Sequence, residues 1–196
     1  MKTIFIKNKQ RYMKSIFLTL IIICGYFSNA QPPTYTLKQD TPRVIPNGAY
    51  LQDNLHILDK FVGTWKCQQN GTELKVVLYQ FPHYLIVDYY CDELFGYYVY
   101  TVNGVEVVNT FSYTGDEAKI QMVWWGRSND TKLVLEFYDP ARPMISTTFL
   151  TLDYSNVAGT EKLHWNLFIG GFRPRLDTDP TPILTHRVPM NCDLIR

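Results

Sequence analysis

Two Asn-Gly dipeptides, each between two runs of β-branched and aromatic residues, restrict the fold of this chain more than any other feature. Asn70-Gly71 separates residues 62–69 from residues 72–81, and Asn103-Gly104 separates "YYVYTV" from "VEVVNTF". Asn-Gly is the strongest short-range signal for a two-residue hairpin, because both residues tolerate a positive φ. These segments are therefore expected to form consecutive antiparallel strands.

The alternation of strand-like runs and turn residues continues along the chain. A turn is expected at Pro82-His83, before a strand over residues 84–91. Further strands are expected at residues 119–125, 131–138, 145–153, 161–169 and 188–195. A series of strands in sequence order covers its edges most simply by closing on itself. The expected fold is all-β, an antiparallel up-and-down β-barrel of about 8–10 strands, with a two-sheet sandwich as the alternative.

A short N-terminal helix is expected at residues 53–61. Asp53 or Asn54 can cap its first turn, and Leu55, Leu58 and Phe61 recur at helical spacing. After this segment, the sequence has no window with good helical periodicity.

Period-two alternation divides each expected strand into an inner and an outer face. A turn at Asn70-Gly71 places Cys67 opposite Leu74, and a turn at Pro82-His83 places Cys91 opposite Leu74 as well. The outward set contains Glu73, Lys75, Asp88, Tyr90 and, further along the chain, His164. The residues assigned to the interior are Trp65, Cys67, Leu74, Val76, Leu78, Leu85, Val87, Tyr89, Cys91, Ile120, Met122, Trp124, Leu133, Leu135, Phe137, Leu163, Trp165, Leu167 and Ile169.

The first thirty residues have the pattern of a cleaved export signal. Five basic residues precede an apolar run at residues 16–23, and Ser28-Asn29-Ala30 forms a small-residue cleavage site. The apolar run is shorter than the ~20 residues that cross a bilayer, so no stable membrane span is expected. We therefore expect residues 1–30 to be a signal peptide, residues 31–52 an extended arm, and residues 53–196 a barrel domain in the periplasm or outside the cell.

The charge of the remaining chain argues against nucleic-acid binding. The export signal contains five of the nineteen Lys and Arg and none of the eighteen Asp and Glu, which leaves 14 basic and 18 acidic residues and a formal charge of −4. Binding to a phosphate backbone depends on clustered Lys and Arg, and the sequence has no such cluster. A nucleic-acid partner is therefore not expected.

Three cysteines lie outside the export signal. Cys67 and Cys91 would be two strand spacings apart, roughly 9 to 10 Å, whereas the Cα atoms of a disulfide lie within about 7 Å. Cys192 lies on the inner face of the last strand, which pairs with the first strand in a closed barrel. A Cys67–Cys192 disulfide would lock that seam in an oxidising compartment. The favoured alternative is three buried thiols, because free cysteine is often buried and an odd number of cysteines leaves one unpaired even if a disulfide forms.

Four stretches of sequence carry a resemblance to known families. The segment "FVGTWK" resembles the Gly-x-Trp opening of the lipocalin and fatty-acid-binding-protein superfamily, the calycins. The order of "IPNGAYLQDNLHILDKFVGTWK", "GYYVYTVNGVEVVNTFSY", "KLHWNL" and "VPMNCDLIR" is similar to a family of uncharacterised secreted bacterial proteins with a lipocalin-like domain. The resemblance covers residues 45–196 and brings no activity with it.

The calycin resemblance implies a specific arrangement at one end of the barrel. Trp65 would cap the floor, and a basic side chain from the closing strands, Arg187 or Arg196, would pack across it. The chain departs from true lipocalins in having no long helix after the last hairpin, which weakens the expectation of a wide ligand cup.

No combination of residues predicts catalysis. The four histidines, at positions 56, 83, 164 and 186, lack the spacing of metal ligands. The acidic pairs Asp116-Glu117 and Asp177, Asp179 lie in expected loops, where nothing holds two carboxylates in register for glycoside hydrolysis. The serines lack the context of a nucleophile elbow. We expect no enzyme activity, no metal and no cofactor.

Two functions fit these observations. The first is a secreted or periplasmic non-enzymatic binding protein that holds a small apolar or amphipathic ligand in the barrel. Residues 170–189, with Arg173 and Arg175, would then form a lid loop. The ligand-binding residues inside the barrel would be Trp65, Leu74, Val76, Tyr89, Trp124, Phe137 and Trp165. The alternative is a surface module with a solid barrel core that contacts a protein, a carbohydrate or a second copy of itself through Tyr90, Trp125 and Phe168.

Overall fold

The computed structural model describes residues 32–37, 44–174 and 183–196, and for residues 123–129 it describes the backbone alone. A single turn of 3-10 helix spans Gly115–Glu117, and the described residues contain no α-helix. The strands are β1 Thr34–Thr36, β2 Tyr50–Gln52, β3 Gly63–Gln69, β4 Thr72–Ile86, β5 Tyr89–Val102, β6 Val105–Asn109, β7 Ile120–Asn129, β8 Lys132–Phe137, β9 Ile145–Val157, β10 Thr160–Phe172 and β11 Asn191–Ile195.

Eight of these strands form a closed antiparallel barrel. The order around it is β3, β4, β5, β7, β8, β9, β10, β11, and β11 returns to β3 with Ile195 opposite Lys66. The barrel closes between β5 and β7, where Phe95 lies opposite Gln121 and Gly96 opposite Ile120. The expectation of a closed antiparallel barrel is confirmed, and the two-sheet sandwich is wrong.

Strand β5 pairs with three different strands along one edge. Its first part pairs with β2 at Tyr90 and Cys91, its middle with β7, and its last part with β6 over Val99–Val102. Strand β2 runs parallel to β5, and β1 runs parallel to β2. The described part of the expected N-terminal arm, residues 31–52, therefore extends the sheet at one end of the barrel.

Both Asn-Gly hairpins form as the sequence predicts. Gln69 pairs with Thr72 around Asn70-Gly71, and Val102 pairs with Val105 around Asn103-Gly104. The φ angles of all four turn residues are positive, from 50° at the asparagines to 76° and 78° at the glycines. The predicted register of the first hairpin, with Cys67 opposite Leu74, is also confirmed.

The predicted turn at Pro82-His83 is wrong. Strand β4 continues through these residues with a bulge between Phe81 and Tyr84, and the chain reverses at Val87-Asp88. The Asp92 carboxylate accepts a hydrogen bond from the backbone N–H of His83, at 3.0 Å. This N–H lies in the bulge, where it has no place in the regular strand ladder.

This longer hairpin changes the pairing or the burial of four predicted inner residues. Tyr100, and not Cys91, lies opposite Leu74, while Cys91 lies opposite Tyr84. Leu85 and Val87 are exposed and do not line the interior. Residues 84–86 continue β4, on which even-numbered residues such as Leu74 and Val76 face inward, so Leu85 lies on the outer face and Val87 lies in the turn.

The predicted helix at residues 53–61 is also wrong, since this segment forms a series of turns. The Asp53 carboxylate accepts the backbone N–H groups of Ile57 and Leu58, each at 2.8 Å, in the manner of a cap. His56, however, has a φ of 54°, which is incompatible with a right-handed helix. The side chains of Leu58 and Phe61 are buried, whereas that of Leu55 is exposed.

Most of the predicted inner residues are buried in one continuous core. Cys67, Tyr89 and Ile169 are half-buried, and the side chain of Trp124 lies outside the described part of the chain. Tyr98 and Leu94 of β5 also belong to the core. The confirmed set is Trp65, Leu74, Val76, Leu78, Cys91, Ile120, Met122, Leu133, Leu135, Phe137, Leu163, Trp165 and Leu167.

Gly96 permits the close approach of strands where the barrel closes. A Cβ atom there would lie 3.0 Å from the backbone oxygen of Val77, 2.7 Å from Leu78 Cδ2 and 3.2 Å from Ile120 Cβ. We expect Gly96→Ala to lower the free energy of unfolding by about 1 to 3 kcal/mol, because backbone must move to admit the methyl group. Urea denaturation measures the change. Gly171→Ala is the control, since its nearest neighbour is the movable hydroxyl of Ser146, and an equal loss in both variants would contradict the prediction.

Candidate functional site

The register of the hairpins defines two ends of the barrel. The turns at Val87-Asp88 and Ala158-Gly159 lie at the end where β3 begins, which we call the floor. Asn70-Gly71 and the connections that follow β8 and β10 lie at the opposite end, which we call the mouth. Each end is closed by its own group of side chains.

At the floor, Trp65 is fully buried and its indole N–H donates to the backbone oxygen of Phe61 at 2.8 Å. The guanidinium of Arg196 lies across the indole, with Cζ 4.6 Å from the ring centroid, and donates to the Val62 oxygen at 2.5 Å. Gly63 has a φ of 135°, and a Cβ there would lie 3.3 Å from an Arg196 nitrogen. Glycine therefore leaves room for the arginine. Of the two basic candidates, Arg196 is the one that packs on Trp65.

At the mouth, residues 183–190, which we call the mouth segment, are tied to the barrel through a buried ion pair. The Asp139 carboxylate accepts from Arg187 Nη2 at 2.5 Å, from Nε at 2.9 Å and from the Arg187 backbone N–H at 3.0 Å. The Asp139 side chain is fully buried and that of Arg187 is 19% exposed. Arg187 Nη1 also donates to the Val107 oxygen at 3.0 Å, so one guanidinium joins the mouth segment to the β8–β9 connection and to strand β6.

The mouth segment also packs on the aromatic core. His186 Nε2 lies 2.8 Å from the Thr148 hydroxyl, and its ring meets the Phe137 ring edge-on at 5.0 Å. The indole N–H of Trp165 donates to the Pro189 oxygen at 3.0 Å. Among the residues that the structure describes, the buried His186 Nδ1 has no hydrogen-bond partner. The mouth segment therefore places one unsatisfied polar atom beside the apolar interior.

Burial and neighbouring charges set the protonation states of Asp139, His186 and Tyr98 at the mouth. Burial alone would raise the pKa of Asp139, but the hydrogen bonds and charge of Arg187 hold it below its usual value. Burial lowers the pKa of His186, and the nearby Arg142 adds to that effect while Asp139 opposes it. Burial also raises the pKa of Tyr98, whose hydroxyl donates to the Tyr138 oxygen at 3.0 Å. At neutral pH, Asp139 and Arg187 therefore form a charged carboxylate–guanidinium pair, and the imidazole of His186 is neutral.

His186 is expected to make the stability of the protein fall in mild acid. Its pKa in the folded state lies below the value of 6.5 in the unfolded chain, so the unfolded chain takes up the proton first. Stability is therefore lost as the pH falls below about 6.5, by about 1 kcal/mol for each unit down to the folded-state pKa. Asp139 contributes only below about pH 4, because its carboxyl group has the ordinary pKa of 3.8 in the unfolded chain and a lower pKa in the folded protein. Urea denaturation between pH 7.5 and 5 measures the loss.

His186→Gln should remove this part of the pH dependence, because glutamine can still bond to Thr148 and does not titrate. His56→Gln is the matched control, since His56 is exposed beside Asp59. An unchanged pH dependence in His186→Gln would show that other groups cause the loss.

The structure gives different positions to the residues predicted to bind a ligand. Trp65 is at the floor, Leu74 and Val76 line the inner wall, and Tyr89 packs against the core from the floor end as the first residue of β5. Phe137 and Trp165 contact each other at 5.6 Å, below the mouth segment. The Trp124 and Trp125 side chains lie outside the described part of the chain.

Only part of the predicted lid loop is described. Arg173 is half-buried, and its backbone N–H donates to the Met144 oxygen at 3.0 Å. Arg175 lies outside the described residues. The side chains that hold the mouth segment, Asp139, His186 and Arg187, were not predicted as a group. From the sequence, Asp139 is interpreted as a turn residue before Pro140, and Arg187 as a candidate partner of Trp65.

A polar concavity of about 470 Å³ also lies at the mouth end, outside the predicted ligand-binding set. It is lined by Gln68, Gln69, Asn70, Gly71, Thr72, Glu73, Thr101 and Gly104. The side chain of Gln68 donates to Glu73 within it. These residues are exposed or half-buried and lie at the tips of the two Asn-Gly hairpins.

Two classes of site are not found in the part of the chain that the structure describes. No group of three or more His, Cys, Asp or Glu side chains there is arranged to hold a metal ion. Across the same residues, no helix has the length and apolar character needed to span a bilayer.

Comparison with known proteins gives a family but no characterised relative. No curated protein and no solved structure matches the chain. Residues 13–196 match a family described as "Family of unknown function (DUF6705)". The match covers nearly the whole sequence, and the chain therefore belongs to this family.

Proposed function

We propose that this protein is an exported, non-enzymatic binding protein with a lipocalin-like barrel, and that it holds a small apolar or amphipathic molecule inside the barrel, in the periplasm or outside the cell. The observation that carries the proposal is the closure of the mouth by side chains. Residues 183–190 reach the barrel through the Arg187–Asp139 pair and the His186–Thr148 contact. Such contacts can open and re-form without breaking the strand ladder of the barrel.

The floor supports the lipocalin-like part of the proposal. A Gly-x-Trp element opens the first barrel strand, and a basic side chain from the closing strand lies over the tryptophan, as the calycin resemblance implies. With this end closed, a molecule would enter at the mouth. The aromatic side chains below the mouth segment, Tyr98, Phe137 and Trp165, would then contact it first.

The character of the lining restricts the chemistry of the molecule. The interior is apolar and aromatic, which favours an apolar body. His186 Nδ1 is buried and has no partner in the described part of the chain, so a hydroxyl or carbonyl group on the bound molecule would satisfy it. The lowered pKa of His186 keeps the imidazole neutral, and a neutral polar group fits better than a charged one.

Native mass spectrometry of the purified protein tests the proposal first, since a retained small molecule would add mass to the folded chain. A second measurement uses N-phenyl-1-naphthylamine, a neutral apolar reporter whose fluorescence increases in apolar surroundings. We expect binding at one site per chain. Asp139→Asn loosens the mouth segment and is expected to speed association of the reporter by about tenfold or more, as entry becomes less hindered.

Phe168→Ser is the matched surface control, because Phe168 is 65% exposed on the outer wall. It should leave reporter binding unchanged. The proposal is overturned if neither the native protein nor folded Asp139→Asn binds the reporter and no molecule is retained, or if binding is lost in Phe168→Ser.

The alternative function is a surface module with a solid core, and the outer face of β9 and β10 favours it. Phe168 pairs across the strands with Phe149, and Phe172 on the same strand is also exposed. Exposed aromatic groups of this kind bind a partner protein, a sugar ring or a second copy. Sedimentation over a range of protein concentrations tests the second copy, and Phe168→Ser should then abolish association.

A further inference from the structure

Two cysteines meet at the seam where the last barrel strand joins the first. Ile195 of β11 lies opposite Lys66 of β3, so the antiparallel register places Leu194 opposite Cys67. Cys192 is two residues before Leu194 and therefore points to the same inner face. It lies diagonally across from Cys67, two residues closer to the mouth. Cys192 is buried, as expected for that face, and Cys67 is half-buried.

The two thiols are close neighbours. The Cys67 side chain is near enough to Cys192 to raise the pKa of its thiol, and all three described cysteines are in the thiol form. Cys91 is in a different place, because it lies on β5 opposite Tyr84, two strands away from β3. Its Sγ is directed at the backbone oxygen of Asp92, at 3.4 Å. Only Cys67 and Cys192 are positioned to react with each other.

The backbone ladder of this seam is short. Between β3 and β11, both fully described, Lys66 and Ile195 form the only register pair, whereas β3 and β4 pair along the whole of β3. The cysteines lie on the mouth side of that pair, where no ladder joins the two strands. Strand β11 also follows directly after the mouth segment, so a bond at Cys192 would fix the end of that segment.

We propose that Cys67 and Cys192 are a reversible modification site, at which oxidation forms a disulfide that locks the seam of the barrel. The oxidant is a low-molecular-weight disulfide, such as glutathione disulfide. The Cys67 thiolate attacks one sulfur of the oxidant, which breaks the S–S bond of the oxidant and releases one thiol. The Cys192 thiolate then displaces the second thiol and forms the Cys67–Cys192 bond. Two cysteine thiols are oxidised and one disulfide is reduced to two thiols.

The surroundings of the two sulfurs fix the order of these steps. Burial raises the pKa of the Cys192 thiol, and the contact with Cys67 adds to this effect, so Cys192 is a poor first nucleophile. Cys67 is half-exposed and can meet an oxidant from solvent. Cys192 then acts as the resolving thiol, because the mixed disulfide on Cys67 is held beside it.

The register also explains why the bond would be reversible. Diagonal neighbours on paired strands have Cα atoms about 7 to 8 Å apart, beyond the usual range of about 4.4 to 6.8 Å for a disulfide. The bond therefore has to draw the two strands together, and a disulfide that does so is more easily reduced than an unstrained one. The short ladder lets the strands move, since few backbone hydrogen bonds oppose the movement.

The test uses the purified full chain in glutathione buffers of different redox ratio. After unfolding, alkylation of the remaining thiols and digestion, mass spectrometry should find one peptide pair joined through Cys67 and Cys192. Cys91 should be alkylated in every sample. The oxidised protein should have a midpoint of thermal unfolding about 5 to 10 °C higher than the reduced protein, and dithiothreitol should reverse the increase.

Three variants control this experiment. Cys91→Ser should keep both the cross-linked peptide and the shift in midpoint. Cys67→Ser and Cys192→Ala should each lose both while the reduced proteins stay folded by circular dichroism, and having two variants allows for the failure of either to fold. The proposal is overturned if the native protein keeps Cys67 and Cys192 alkylatable in glutathione disulfide, or if the bridge includes Cys91. It stands independently of any ligand in the barrel.

Discussion

Asp139→Asn is expected to lower the free energy of unfolding by about 3 kcal/mol or more. The Asp139 side chain is fully buried and accepts hydrogen bonds from three nitrogen atoms of Arg187, one of which is the backbone N–H. The amide keeps the shape of the carboxylate but removes its charge, and so leaves a largely buried guanidinium without a counter-ion. Breaking a buried ion pair from one side costs about 3 to 5 kcal/mol, because the remaining charge stays desolvated.

Urea denaturation measures this change, and Asp59→Asn is the matched control. Asp59 pairs with His56 on the surface, where both side chains are more than half exposed, so its loss should be below about 0.5 kcal/mol. The double variant Asp139→Asn, Arg187→Met should recover part of the stability lost in the single variant, since it removes the unpaired charge. A loss of less than about 1 kcal/mol in Asp139→Asn would mean that the mouth segment does not depend on this pair.

Trp65→Ala is expected to cost about 4 kcal/mol, the second of the two largest effects. The substitution removes a fully buried indole from the floor, and replacing a core tryptophan by alanine costs about 3 to 5 kcal/mol in lost burial and in the cavity left behind. It also removes the donor to the Phe61 oxygen and the ring beneath Arg196. The floor would then be open to water.

Trp65→Phe separates these contributions. Phenylalanine keeps an aromatic ring at the floor but cannot donate to Phe61, so we expect a loss of about 1 to 2 kcal/mol. Thermal and urea unfolding of both variants measure the difference. If Trp65→Ala were no less stable than Trp65→Phe, the indole would not be what closes the floor.

Local turn chemistry explains why much of the fold was predictable. The conformation of Asn70-Gly71 depends on those two residues, and the turn then fixes the register of Cys67 against Leu74. Once one inner position is known, alternation gives the next. Trp65, Val76 and Leu78 are therefore buried as predicted.

The errors occur where a distant contact overrides local preference. Val87 is a β-branched residue at a φ of 54°, which is rare, so no sequence rule places a turn there. The bulge at Pro82-His83 has the composition of a turn, and its stability depends on Asp92, nine residues further along the chain. The residue types at a bulge and at a turn are the same, and only the paired strand distinguishes them.

The side chains at the mouth were unpredictable as a group for a similar reason. Asp139 and Arg187 are 48 positions apart and each is unremarkable in its local sequence. Their contact depends on where the chain re-enters the barrel before β11. By contrast, the residue that packs on Trp65 could be limited to Arg187 or Arg196, because the calycin resemblance implies a basic side chain from the closing strands.

The separation in sequence between β3 and β11 has a consequence for folding kinetics. Strand β3 begins at Gly63 and its neighbour β11 at Asn191, so the first strand of the barrel keeps an unpaired edge until nearly all of the chain has been synthesised. Strand pairs so distant in sequence form slowly, and a strand edge that stays unpaired during folding is a site of aggregation. Substitutions that delay docking of β11 should therefore reduce the yield of folded protein even where they leave its equilibrium stability intact.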